Sequence, residues 1–316
     1  MGRRLGQHFL TDPAILDRIV DALDPQSDDV VIEIGPGKGS MTRRLGPRVG
    51  SVIAIERDAE LASLLEAEGR GKGEGGTVQD IHVVQGDALE VDWHRELREF
   101  LNRKSPIEDH KSPVPRSPFP LPHEKGTSGR SWKVVGNIPY YITSPLIDKA
   151  LTPPRPQVIV FLIQREVADR LVAPPGGKTY GALTVGVQTV AQVERLFVVR
   201  PGSFNPPPKV DSAVIRITPR EDPLVTDAEV AGFRQFTTAL FSQRRKQLKR
   251  VLRYVAGIGL GELESKLLEL GIDPMARPEN LEPAEIVRLY RNLLKDGQGR
   301  PKTATPPTPI VFPSPS

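Results

Sequence analysis

The feature that most constrains this chain is the block Val30-Val31-Ile32-Glu33-Ile34, closed by Gly35, Gly37 and Gly39 and followed at once by the helix-like stretch MTRRLGP at 41–47. A short β-branched block that ends in glycine reads as a strand whose chain must turn sharply at its carboxyl end. A second block, SVIAIE at 51–56, completes a strand–helix–strand unit. Further strand candidates follow at 81–89 (IHVVQGDAL), 132–137 (WKVVGN), 158–163 (VIVFLI), 193–199 (VERLFVV) and 212–217 (SAVIRI), with a helical stretch at 59–68. Ahead of them, Ile15, Leu16, Ile19, Val20 and Leu23 have the spacing of an amphipathic helix that starts near Pro13. Strands alternating with helices predict a doubly wound, parallel sheet of the α/β class.

Ligands of such sheets bind at the carboxyl ends of the strands, so residues there carry the functional information. The glycines at 35, 37 and 39 let the backbone approach a ligand with no Cβ in the way. They do not form a dinucleotide fingerprint, because Ser40 stands where the last glycine would be, and Lys38 is out of frame for a phosphate-binding P-loop. Alone, they describe no more than a turn. Glu56, 21 positions beyond Gly35, ends the next strand, where a carboxylate can accept hydrogen bonds from both hydroxyls of a ribose. Asp87 ends the third strand and can accept from an adenine amino group. Either acid by itself reads as a solvated strand end; three elements at three successive strand ends read as a nucleoside site.

After the fourth strand comes Asn137-Ile138-Pro139-Tyr140. Asn and Pro are common in turns, but this tetrapeptide also suits methylation of an amino group on a base. The lone pair of an exocyclic amine is delocalised into the ring, so the nitrogen must be drawn towards tetrahedral geometry before it attacks a methyl sulfonium. The Asn137 side-chain oxygen and the Ile138 main-chain carbonyl can hold its two hydrogens, while the Tyr140 ring stacks on an extruded adenine. No strong general base is needed, and catalysis is chiefly positioning.

With these residues in view, the chain resembles the ribosomal RNA adenine N6,N6-dimethyltransferases that modify the 3′ end of small-subunit rRNA. The resemblance runs from about Gly6 to Leu289. It includes GQHFLTD at 6–12, EIGPGKGSMT at 33–42, IERD at 55–58, GDAL at 86–89 and NIPYYITSPL at 137–146. QREVADRL at 164–171, YGALTVGVQ at 180–188, FNPPPKVDSAVIRI at 204–217, FSQRRKQLKRVL at 241–252 and GIDPMARPENL at 271–281 continue it. It implies a Rossmann-like S-adenosylmethionine-dependent methyltransferase fold with a smaller C-terminal α-helical domain. It also implies that His8, Leu10, Gly35, Gly37, Gly39, Glu56, Asp87, Ala88 and Asn137 contact S-adenosyl-L-methionine. The implied partner is small-subunit ribosomal RNA within an immature 30S particle, met by a monomer. His8 and Tyr141 stand where many members of that family have Asn, and the 102–131 segment lies outside the family pattern.

Residues 1–220 are expected to form the methyltransferase domain. Within it, 102–131 is rich in Pro, Ser and charge without apolar periodicity and is expected to be a mobile surface insertion. Residues 221–295 read as an α-helical RNA-binding domain and 296–316 as a disordered, Pro-rich tail. In the helical part, FSQRRKQLKRVLR at 241–253 carries Arg244, Arg245, Lys246, Lys249, Arg250 and Arg253 with no acid, and Phe241, Leu248, Val251 and Leu252 supply an apolar face. A solvated helix face and a membrane-surface helix are the other readings of such a run; beside a base-methylating domain it is expected to contact phosphates. FNPPPK is expected to stiffen a loop beside the active-site edge.

The remaining composition narrows the classes. Forty-three Lys and Arg against 39 Asp and Glu leave a net charge of only +4, so the basic run matters more than the total. With no cysteine, disulfides, iron–sulfur clusters and thiolate zinc sites are excluded. His8, His82, His94, His110 and His123 show no metal-binding spacing, and no metal is expected. No apolar run follows the basic N-terminus and none reaches membrane-spanning length, so a cytoplasmic protein without membrane association is expected. Two rivals share the fold. An erythromycin-resistance type methylase acting on large-subunit rRNA is disfavoured by FNPPPKVDSAV and GIDPMARPENL, and a non-catalytic nucleic-acid-binding factor by the intact cofactor elements and NIPY.

Overall fold

The computed structural model describes residues 8–69, 80–104, 131–243 and 246–295. These form two compact units, with the chain passing from the first to the second after Val172, back to the first after Val190 and again to the second after Glu221. The expected boundary near 220 therefore misses an excursion: 173–190 belongs to the second unit rather than the first. Most of the 102–131 insertion and all of the 296–316 tail lie outside the described residues, although 102–104 close a helix.

The first unit is built on strands β1 (Phe9–Leu10), β2 (Val30–Ile34), β3 (Ser51–Glu56), β4 (Ile81–Gln85), β5 (Trp132–Asn137), β6 (Val158–Gln164), β7 (Ala191–Val199), β8 (Phe204–Asn205) and β9 (Ser212–Pro219). Its helices are α1 (Pro13–Ala22), α2 (Thr42–Leu45), α3 (Ala59–Gly69), α4 (Trp93–Lys104), α5 (Thr143–Ala150) and α6 (Arg165–Leu171). Seven strands make one sheet in the order β4-β3-β2-β5-β6-β9-β7. All residues of β2 and β3 are buried, as are those of β5 and β6 short of their last residues, so this sheet is covered on both faces.

The sheet is mixed, not wholly parallel. The strands from β4 to β6 pair in parallel, but β9 runs antiparallel to both β6 and β7. The cause lies in the connections. A parallel return needs a long crossover, usually a helix, whereas 200–211 carries only a single 3-10 turn and β8. The strand that follows it therefore comes back beside β7 in the opposite sense.

At the amino edge of the sheet a buried ion pair joins β5 to the turn before β2. Lys133 Nζ lies 2.8 Å from Asp29 Oδ2, both almost fully buried, and donates to the Asp24 carbonyl at 2.5 Å. Asp29 also accepts from Gln26 N at 2.7 Å and from Ser131. Helix α1 begins where Asp12 caps it, accepting from Ala14 N and Ile15 N, and it buries Leu16, Ile19 and Val20 against the core.

The second unit holds α7 (Ala182–Gln188), α8 (Asp227–Phe241), α9 (Leu248–Ala256), α10 (Leu260–Glu269) and α11 (Pro283–Lys295). Its core includes Tyr180, whose ring meets Phe241 edge-on at 5.9 Å and whose hydroxyl donates to the Leu281 carbonyl at 2.9 Å. That anchor draws 173–190 into this unit. Arg291 grips Glu229 with two 2.8 Å contacts and holds its carboxyl down to about 2.

The basic run 241–253 is not one helix. Helix α8 ends at Phe241, the chain turns, Gln247 is extended, and α9 starts at Leu248. The restart has a local cause: Leu248 N and Lys249 N donate to the carbonyls of Ala276 and Pro274, so the loop of GIDPMARPENL caps the new helix. Arg244 and Arg245 lie outside the described residues.

Candidate active site

A cavity of about 310 Å³ opens at the carboxyl ends of β2, β3, β4 and β5. It is the place the sheet rule assigns to a ligand, and it is built from the turn outward. Gly35, Gly37 and Gly39 all have positive φ, at 64°, 57° and 73°. At Gly37 the lack of a side chain is also a matter of space, because a Cβ there would stand 2.8 Å from Phe9 Cε1. The loop can follow this path beneath the cavity only as glycine.

Glu56 supports the same loop from the neighbouring strand. Its side chain is buried to 3% exposure, with Oε2 accepting from Gly37 N and Oε1 from Asp58 N, each at 2.9 Å. Each carboxylate oxygen keeps further acceptor capacity. Asp87 follows β4: Oδ1 accepts from Leu89 N at 2.9 Å, and Oδ2 faces Arg57 Nη1 at 3.5 Å. Ala88 lines the wall beside it. Beneath the glycine loop sits a group that sequence patterns did not single out. Burial raises the Glu33 carboxyl to about 7, with Glu56 adding repulsion and Thr42 partly offsetting both.

The opposite wall is the turn 137–140. Asn137 Nδ2 donates to the His8 carbonyl at 2.8 Å, which leaves Oδ1 as the acceptor that can face the cavity. Ile138 N donates to Leu162 O at 3.0 Å and pins the backbone to β6. Among the described residues no donor reaches the Ile138 carbonyl, whereas the Pro139 carbonyl is taken by Ile142 N at 3.1 Å. The Tyr140 hydroxyl meets Ser212 Oγ at 3.0 Å, and its ring lies stacked 6.3 Å from that of His8. The His8 ring is itself tethered, Nδ1 donating to the Pro206 carbonyl at 2.8 Å.

The N-terminal part of the wall is held by a long-range pair. β1 and β8 form an antiparallel ladder, Phe9 opposite Asn205 and Leu10 opposite Phe204. The first two residues of FNPPPK, Phe204 and Asn205, are thus the partner strand of Phe9 and Leu10, and Phe204 lines the cavity.

Of the residues expected at the site, His8, Gly35, Gly37, Glu56, Asp87, Ala88, Asn137, Ile138, Pro139 and Tyr140 line this one cavity. Leu10 and Gly39 do not. Leu10 is turned into the core at 4% exposure, and the Cα of Gly39 faces Leu65 and Arg43. Phe9 and Arg57 line the wall without having been expected there, and Phe204 joins them from FNPPPK, the loop expected beside the active-site edge. Arg57 could have been inferred, since it follows the strand-end Glu56. Phe9 could not, because only the pairing of β1 with β8 brings it to the site.

The sequence model of the family described as "Ribosomal RNA adenine dimethylase" matches residues 2–295. The chain belongs to the ribosomal RNA adenine dimethylase family. Within it, the chain is 37% identical to the "Ribosomal RNA small subunit methyltransferase A" of Halothermothrix orenii, over 92% of this chain and 87% of that one. It is 36% identical to the protein of the same name in Geobacter metallireducens, over 93% and 96%. Among solved structures, a dimethyladenosine transferase from Plasmodium falciparum superposes with a TM-score of 0.71 at 25% identity, covering 92% of this chain and 99% of that one. The 23S rRNA methyltransferase ErmE superposes at 0.61 and 26%, covering 90% and 99%. This member of the dimethylase family has the Rossmann-like methyltransferase fold, with a seven-stranded sheet whose carboxyl edge carries the cavity.

Proposed function

We infer that this chain transfers methyl groups from S-adenosylmethionine to the N6 nitrogens of adjacent adenines near the 3′ end of small-subunit rRNA. The observation that carries the reading is the wall at 137–140, where two oxygen acceptors and an aromatic ring stand on one rigid turn at the edge of a nucleoside-sized cavity.

The cavity suits the cofactor. Its floor is a glycine loop that a Cβ at position 37 would block, Glu56 offers a buried carboxylate for ribose hydroxyls, and Asp87 offers one for an adenine amino group. Once bound, S-adenosylmethionine supplies an electrophilic methyl on a sulfonium, whose departure as a neutral thioether needs no acid. The protein's part is to present the nucleophile. In the first transfer Asn137 Oδ1 and the Ile138 carbonyl accept the two hydrogens of the target amine and turn its lone pair out of the base plane; in the second, the monomethylated nitrogen has one hydrogen left, and one of the two oxygens accepts it. Tyr140, fixed by Ser212 and packed on His8, supports the ring of the extruded base. After the new N–C bond forms, the product amine loses its extra proton to water. Holding reactants in such a geometry can contribute on the order of 7 to 11 kcal/mol.

The basic segment of the helical unit is read as the phosphate contact. Lys246 and Arg250 are exposed, whereas Lys249 Nζ lies 3.6 Å from Glu264 and is partly neutralised there. We place the reaction in the cytoplasm, with a monomer of the protein acting on an immature 30S particle. Mass spectrometry of both rRNAs, from cells with and without the protein, tests the substrate. Loss of dimethyladenosine from the small-subunit rRNA is expected, and loss confined to the large-subunit rRNA would overturn the assignment.

A further inference from the structure

Helix α9 divides its side chains cleanly. At about 100° per residue, Leu248, Val251 and Leu252 fall on one stripe, and all three are buried. Arg250, Arg253 and Tyr254 fall on the opposite side within an arc of roughly 100°, with Arg250 in the middle, and all three are exposed. Tyr254 is 80% exposed, the most open large hydrophobic residue among those described. Lys249, on the flank, is directed to Glu264, so that acid is already occupied. Among the described residues, neither Arg250 nor Arg253 has an acidic partner, and α9 contains no acid.

An open aromatic ring beside two free guanidinium groups on one rigid surface matches the way proteins hold unpaired nucleotides. Cations follow the backbone while a ring stacks on a base. We propose that the outward face of α9 is a stacking platform for an unpaired base of the RNA, with Tyr254 as the stacking ring and Arg250 and Arg253 on the flanking phosphates. The proposal rests on the RNA reading of the helical unit and goes beyond it. A face made only of charge would bind any phosphate backbone, paired or not. This one selects single-stranded RNA, because bases within a duplex offer no open face to the ring.

The two components separate by experiment in the full-length protein. The probes are a single-stranded RNA of mixed sequence and a blunt RNA duplex of equal length, titrated across a salt series. Tyr254→Ala is expected to weaken single-strand binding about 5- to 100-fold without altering the salt slope or the duplex affinity, and Tyr254→Phe to restore it. Replacing Arg250 and Arg253 together by Gln is expected to flatten the single-strand log–log slope by up to about 1.4. Unchanged melting temperature and cofactor affinity in each variant show that the fold is intact. If Tyr254→Ala binds single strands like the parent, or Tyr254→Phe binds as weakly as Tyr254→Ala, stacking is wrong while a flattened arginine slope leaves the RNA reading standing. If the arginine variant also leaves the slope unchanged, both fall. Tyr254-dependent binding to anionic phosphatidylserine vesicles, with RNA binding unaffected, would assign the face to a membrane instead.

Discussion

Asn137 is suspended from His8: its side-chain nitrogen donates to the His8 carbonyl at 2.8 Å, joining residues 129 positions apart. The bond decides which end of the amide faces the cavity. Asn137→Ala removes the acceptor and is expected to lower kcat at least 100-fold while RNA affinity is unchanged, as single-turnover methyl transfer will show. Tyr140→Ala is expected to lose turnover as well, whereas Tyr140→Phe keeps the ring and gives up only the contact with Ser212. Near-normal turnover in Asn137→Ala would remove the amide from the mechanism.

Glu56 has two duties, holding the amide of Gly37 and facing the cavity. Glu56→Ala is therefore expected to weaken S-adenosylmethionine binding by about 1.5 to 3 kcal/mol, the range for hydrogen bonds to a charged group. Isothermal titration calorimetry measures it directly, and an unchanged Kd would exclude a ribose contact.

Gly37 admits no side chain at φ 57° with Phe9 so near. Gly37→Ala must displace the Phe9 ring or the loop. A loss of cofactor affinity of at least tenfold is expected, together with a lower melting temperature; an alanine variant that binds normally would show that the loop has slack.

Glu33 makes stability depend on pH in an unusual direction for an acid. Its carboxyl rises from 4.5 to about 7 on burial, so ionising it in the folded protein is unfavourable. The stability it contributes is complete below about pH 4.5 and is lost as pH rises through about 7. The difference corresponds to about 3 kcal/mol. Glu33→Gln cannot ionise, so relative to the parent it should be more stable at pH 8 than at pH 5. Urea denaturation at both pH values checks this, and a difference independent of pH would refute it.

Lys133 and Asp29 form the opposite case, a buried pair of opposite charges. Lys133→Met leaves Asp29 charged without its partner and is expected to cost about 3 to 5 kcal/mol. The double replacement Lys133→Met with Asp29→Leu should recover part of that loss in thermal denaturation. No recovery would mean that the hydrogen bonds to Gln26 and Asp24, not the charges, matter at this edge.

Where an element's cause is local, it could be read from the chain. Glycine after a β-branched block, the acids at strand ends and the NIPY turn all carry their chemistry in a few neighbouring residues, and these meet at the cavity. Elements with distant causes could not be read in the same way. The direction of β9 depends on a short connection and on the gap between β6 and β7. The break before Leu248 depends on the carbonyls of Pro274 and Ala276. Leu10 was expected beside the cofactor, yet it pairs with Phe204 and packs into the core, while Phe9, its neighbour, reaches the wall. In a strand, adjacent side chains point to opposite faces, and a motif alone does not say which faces inward.

The pairing of Phe9 and Leu10 with Asn205 and Phe204 also sets an order in time. During synthesis, the β1–β8 ladder that follows His8 cannot form until the ribosome has made residue 205. By then the chain has already left the first unit, made 173–190 of the second, and returned. Every nascent chain shorter than this lacks the partner strand of Phe9 and Leu10, and with it the ring of Phe204 in the cavity wall.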